Sequence, residues 1–331
     1  MKINHLPIAI FGVTLLLVAL ACNMPGSAVN PAATAIPVTN TVASASTEAN
    51  QATATPTSSP TAEIPTPTVA IPHALVPSTS VTIKASNLIH DVVSVDTAVE
   101  KRAPYGDSYN INLFERPFMQ DMSYVPDLDI ASYNLTRDEK FYYVSIELVG
   151  TDPNNKIGIQ YAVELDLDAD GFGDTIIVAR PPFNVNWTTD NVQVVQDTNH
   201  DTSGLSAEKS DAPIPGDGYD TVIFDGGRGE KDDPDLAWAR INAGKYATVQ
   251  FAFKQSLAGS RFMYGVIADG GLKSIADLDY VDRFTAAEAG SPVKGDKNYP
   301  LKALYAVDNV CREVQGLVGT GQEPQRCITK K

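Results

Sequence analysis

One segment constrains the fold more than any other. In KIGIQYAVELDLD, Ile157, Ile159, Tyr161, Val163, Leu165 and Leu167 take every second position, with Gln160, Ala162, Glu164 and Asp166 between them. A period of two puts alternate side chains on opposite faces, so this stretch is a half-buried β-strand rather than a helix. The same alternation runs through Tyr142, Val144, Ile146 and Leu148. It recurs through Ala247, Val249, Phe251 and Phe253, and again through Phe262, Tyr264, Val266 and Ala268. QSLAGS separates the last two runs, which predicts a hairpin between them. Shorter strand candidates are VTIKAS, DIASYNL, DTIIVAR, NVQVVQ, DTVIFD and LAWARI. Helix is expected only as short pieces over residues 274–282 and 285–289. Many strands with turn signals and few helices predict an all-β fold, an antiparallel β-sandwich.

The amino terminus belongs to a different kind of chain. Lys2 precedes an apolar run, residues 7–21, too short for a membrane-spanning helix and built like a secretory signal. Its end, Ala19, Leu20, Ala21 and Cys22, resembles the lipobox of bacterial lipoproteins, where cleavage precedes a cysteine whose thiol receives a diacylglycerol. That resemblance implies a signal peptide over residues 1–21 and lipidation at Cys22. It also implies an extracytoplasmic protein anchored through lipid at the cell surface or outer leaflet. Asn23 after the cysteine is compatible with export to an outer surface, by similarity to lipoprotein sorting signals. An ordinary secretory signal with a chance cysteine is the alternative. Residues 22–80 carry only Glu48 and Glu63 as charges and are dominated by Ala, Thr, Pro, Ser and Val. Such a segment buries too little surface to offset its ordering entropy, so it is expected to be a disordered, semi-stiff tether. The folded domain is expected over residues 81–331.

The formal net charge is −15, nearly all of it in that domain. An acidic surface excludes nucleic acid as a partner, because binding it needs a cationic footprint. With Cys22 assigned to lipid, Cys311 and Cys327 remain as a pair in an oxidising compartment. A bridge between them would tie down the weakly apolar tail, worth about 3 kcal/mol in the chain-entropy model. Two free thiols are the other possibility.

VPDLDIASYNLTRDEKFYYVSIEL, followed by YAVELDLDADGFGD, resembles the DOMON-like β-sandwiches that include family 9 carbohydrate-binding modules. The later block from DDPDLAWARI onward is similar to bacterial surface lipoproteins with this domain. The resemblance implies a jelly-roll-type sandwich and an extracellular habitat, with no assigned reaction.

The acidic turns carry the most specific chemistry. Asp166, Asp168 and Asp170 alternate, Gly171 permits a sharp turn, and Asp174 follows. Calcium takes six to eight hard oxygen ligands, and a D-x-D-x-D-G loop delivers several from one turn. An EF-hand is excluded, since Ile177 stands where the bidentate Glu belongs and both flanks are strands. Asp197, Asn199 and Asp201 repeat the spacing and form a second candidate loop, with a solvated turn as the alternative for each. Asp217 with Asp220, and Asp232 and Asp233 with Asp235, are read as ordinary turns, which favour Asp and Gly for backbone reasons. Zinc is not expected, because His90 and His200 are the only histidines of the domain and the two thiols are expected to be paired.

No nucleophile elbow, zinc-protease helix motif or phosphate-cradling loop is present, so an enzyme is not expected. A hydrolase working with surface carboxylates is the lowest-ranked reading. Trp187, with Tyr105 and Tyr109, offers aromatic platforms for a sugar face, packing at the edge of the core being the alternative. Trp238 is expected on a sheet face. Asn134-Leu135-Thr136 is a glycosylation sequon in form only. The expected function is non-catalytic binding at the cell surface, calcium-stabilised, with carbohydrate as ligand. The competing expectation is a structural or assembly lipoprotein that binds another envelope protein.

Overall fold

The computed structural model describes residues 71–104, 116–202, 216–226, 233–242, 245–279, 304–323 and 326–327. The signal segment, Cys22, the tether through residue 70, Tyr105, Tyr109 and the helix expected over 285–289 lie outside the described residues. Two antiparallel sheets make up the fold. One contains β1 (Ile89–His90), β2 (Ile130–Arg137), β3 (Phe141–Leu148), β8 (Ala237–Asn242) and β9 (Thr248–Lys254), in the order β1-β2-β3-β9-β8. The other contains β4 (Gln160–Asp166), β5 (Thr175–Ala179), β6 (Val192–Gln196), β7 (Thr221–Asp225), β10 (Phe262–Asp269), β11 (Val307–Asn309) and β12 (Glu313–Gln315). Its order is β11-β10-β4-β5-β6-β7, with β12 beside β11 on the same edge of β10.

The facing sides of the sheets form the core. Tyr142, Val144, Ile146, Leu148, Val249, Phe251 and Phe253 from the first sheet meet Tyr161, Val163, Leu165, Phe262, Tyr264 and Val266 from the second. Every apolar residue of the four alternating runs lies in this core or packs against it. Alternation thus identified the inward face correctly along all four strands.

Four details differ from the sequence reading. The strand β4 is buried on both faces, not one. Its outward side chains Glu164 and Asp166 are covered because Arg312 crosses over Gly265, where an added Cβ would stand 3.3 Å from the arginine's Cγ. The run QSLAGS does not close a hairpin, since β9 and β10 belong to different sheets. Residues Gln255–Ala258 instead form one helical turn, α1, ended by Gly259 at φ 68°. VTIKAS is not a strand; it runs into the 3-10 turn Ala85–Asn87. Between residues 274 and 279 the helix reduces to a 3-10 turn, Ile275–Asp277.

Residues 71–80, at the end of the segment assigned to the tether, lie on the outer side of the five-stranded sheet. Asp235 anchors them, with Oδ1 2.8 Å from His73 Nδ1 and Oδ2 accepting the N–H groups of Ala74 and Leu75. The His73 ring packs on Trp238, whose indole is buried with Phe141, Tyr143 and Ala252. Asn134 is 1 % exposed within β2, so the sequon is inaccessible. Cys311 and Cys327 are joined in a disulfide, and Cys327 N–H donates to Arg312 O, which holds the tail on β12's approach.

Candidate metal centre

The β4–β5 hairpin closes through the aspartate-rich loop, and its shape is organised by Asp166. Asp166 Oδ1 accepts the N–H of Ala169 at 2.6 Å and of Asp170 at 3.3 Å, while Oδ2 accepts that of Gly171 at 3.0 Å. Ala169 and Gly171 adopt positive φ, 65° and 101°, which turns successive N–H groups toward one carboxylate. Asp174 Oδ2 accepts the Leu167 N–H at 2.5 Å and closes the loop. One carboxylate oxygen each from Asp166, Asp168 and Asp174 thereby comes within 4.8 Å of the others. Asp170 bends back to its own turn, accepting the Phe172 N–H at 2.9 Å, and stands outside this triad.

Among the described residues, the triad concentrates negative charge that is met only at its margins, by Arg312 Nη1 3.5 Å from Asp166 Oδ2 and by His200 Nδ1 3.8 Å from Asp174 Oδ1. Burial pushes Asp166 up to about 7 despite the Gly171 and Ala169 N–H groups, and the charges of Asp174 and Asp170 push the same way. Burial raises Asp174 as well, with Asp168 adding to it. A set of carboxylates alone suits a hard divalent cation such as calcium or magnesium, and not a soft metal.

The second loop copies the construction, and among the described residues its aspartates join no converging group of three carboxylates or imidazoles. Asp197 accepts the N–H groups of Asn199, His200 and Thr202, and His200 takes φ 59° as Ala169 does. Asp201 accepts those of Asp217 and Gly218, and the Asn199 amide donates to Asp201 and Asp217. Asp197 and Asp201 thus cap their turns through backbone N–H groups, as Asp166 and Asp174 do in the first loop. Thr202 clasps the two loops, its hydroxyl accepting the Gly173 N–H at 2.9 Å and donating to the Gly173 carbonyl at 3.0 Å. Asp220 likewise caps its turn through Thr198, and Asp233 pairs with Lys254.

Four residues of this region were not singled out by the sequence as site residues. Arg312, 2 % exposed, donates to Glu164 Oε1, to Asp279 Oδ2 at 3.0 Å and to the Gly171 carbonyl at 2.9 Å, with Asp166 Oδ2 at 3.5 Å. Burial pulls its guanidinium down to about 9, which leaves it charged at neutral pH. Tyr219, 3 % exposed, packs its ring among Ile176, Val178, Val195 and Leu278 on the outer side of the second sheet. Its hydroxyl is buried and has no hydrogen-bond partner among the described residues. A Cβ on Gly173 would lie 2.0 Å from that hydroxyl and 3.0 Å from Glu164 Oε1, so the loop needs glycine there for space. Burial drives the phenol well above its usual range, and Asp279, Asp197, Asp174 and Asp166 add to the effect. Arg312, Asp279 and Tyr219 come from separate chain segments, so no local spacing marks them. Glu164 sits at a position that alternation assigns to solvent.

Trp187 is half-buried against the outer side of the five-stranded sheet. Its indole N–H donates to Ser78 O at 2.8 Å, the Arg240 guanidinium lies 4.4 Å from the ring centroid, and Tyr143 is a ring neighbour. These contacts account for the ring without a ligand. Nearby, an open groove of about 440 Å³ is lined by Lys84, Asn87, Thr136, Arg137, Asp138 and Tyr143, among others. Compared with known proteins, the chain matches no family model, no curated protein and no solved structure.

Proposed function

We propose that this chain is a non-catalytic, extracytoplasmic binding protein, lipid-anchored at Cys22 and stabilised by calcium, with carbohydrate as its ligand class. The convergence of Asp166, Asp168 and Asp174 oxygens within 4.8 Å carries the cation part of the reading. Those three would hold the ion, and the ion would offset the like charges that burial makes costly. Recognition falls on the opposite sheet, where the groove presents the polar groups of Asn87, Thr136 and Arg137. The ligand class is the one implied by the sequence resemblance to DOMON-like and family 9 carbohydrate-binding modules. The experiment compares the protein in excess calcium and in chelator, by thermal melting and on a glycan array. Calcium at about a hundred times its Kd adds about 2.7 kcal/mol, a clear rise in Tm that Asp168→Asn abolishes. Equal melting in both conditions overturns the cation. An array without retained glycan, together with a cross-linked envelope protein, replaces the sugar reading with an assembly role.

A further inference from the structure

The acidic hairpin has a neighbour that the cation reading leaves unused. Tyr219 arrives from the β6–β7 connection, buries its ring on the outer side of the second sheet, and ends its hydroxyl against Gly173 inside the loop. That hydroxyl is fully enclosed and hydrogen-bonded to no described residue, although Glu164 Oε1 and Gly173 border it. A buried hydroxyl left without a partner is destabilising, so natural sequences seldom keep one unless water or a ligand completes it. Glu164 Oε1 borders it and Asp279, Asp197, Asp174 and Asp166 lie near enough to act on its charge, but none of them accepts from it. A water between them satisfies both sides, and water beside converging carboxylates is what a hydrated divalent ion supplies, since such ions keep part of their water shell in protein sites.

We propose that Tyr219 is a positioning residue of the cation site, its hydroxyl donating to a water of hydration of the ion held by Asp166, Asp168 and Asp174. This rests on the cation reading above. It explains two sequence features together: a tyrosine rather than phenylalanine in an apolar cluster, and a glycine at position 173, where any side chain would displace the hydroxyl.

The test uses the protein stripped with chelator and titrated with calcium chloride by calorimetry, alongside Tyr219→Phe and Asp168→Asn. Tm in chelator is measured for each. Wild type binds; Asp168→Asn binds far more weakly; Tyr219→Phe binds about three- to tenfold more weakly, the size of one lost hydrogen bond. In chelator, Tyr219→Phe melts at or above the wild-type temperature, because an uncompensated hydroxyl has been removed. Equal affinity of Tyr219→Phe and wild type overturns the inference and leaves the cation site standing. A Tyr219→Phe protein that melts lower in chelator and binds calcium as wild type does shows a packing role alone. Absence of calcium uptake by wild type overturns the cation reading and this inference with it.

Discussion

Arg312 shows what a single side chain does here. A guanidinium 2 % exposed is tolerable only because Glu164, Asp166, Asp279 and the Gly171 carbonyl meet it. Removing one partner of a buried ion cluster costs more than the cluster contributes, because the remaining charges stay buried and unpaired. Arg312→Met therefore leaves three buried carboxylates facing one another and lowers stability by about 3–5 kcal/mol in urea unfolding at neutral pH. A loss below about 1 kcal/mol would mean that water reaches the cluster. The residue also links two parts of the fold, since its neighbour Cys311 is bonded to Cys327 and its own carbonyl accepts the Cys327 N–H.

At the scale of elements, residues 71–80 are the least expected component. They have no alternation, and Pro72, Pro77, Ser78, Thr79 and Ser80 place them by composition with the tether. What holds them is a set of point contacts: Asp235 with His73, Ala74 and Leu75, the Ser78 carbonyl with Trp187, the Ser78 N–H with Tyr143, and Thr79 O with Arg240. Asp235→Ala deletes three of these at once. Amide exchange at Ala74 and Leu75 then accelerates and proteolysis appears within 71–80, while global stability falls by only about 1–3 kcal/mol. Unchanged exchange at both amides would show that Trp187 and Tyr143 hold the segment without Asp235. Polar contacts of this sort are invisible to periodicity, because each partner is more than sixty residues away.

For the molecule as a whole, carboxylates titrate in opposite directions according to their surroundings. Surface turn caps such as Asp220 and Glu323 are lowered by the hydrogen bonds they accept, whereas buried Asp129, Asp166 and Asp269 are raised, chiefly by desolvation. Asp129 lies apart from the acidic hairpin. Burial lifts it to about 6, although the Tyr124 hydroxyl and the Ser94 N–H pull the other way. The folded state thus keeps a proton that the unfolded chain releases near 3.8. This group's contribution to stability is complete below that value and is lost as pH rises through about 6. Relative to Asp129→Asn, the wild type loses stability between about pH 4 and 6 and runs parallel above. Parallel curves through the whole window would assign the slope to other groups.

The sequence by itself determined the strands from β2 to β10, the inward face of the four long strands, the all-β class and the aspartate loop, while β1, β11 and β12 carry too few residues to show a period. All of these are set by neighbours within one strand or one turn. Period two assigns a face wherever one side is apolar, and D-x-D-x-D-G specifies a turn through the backbone demands of Asp and Gly. Only the tertiary structure decided that β9 and β10 part into different sheets, that Glu164 and Asp166 are covered rather than wet, and that Asp170 leaves the triad. The same holds for Trp187, whose partners Ser78, Tyr143 and Arg240 lie far off in the chain, and for Tyr219 and Arg312 at the acidic hairpin. Each of these outcomes depends on which distant segment crosses the outer side of a sheet. Alternation cannot report that, because it records which side of a strand is apolar and not what lies against the other.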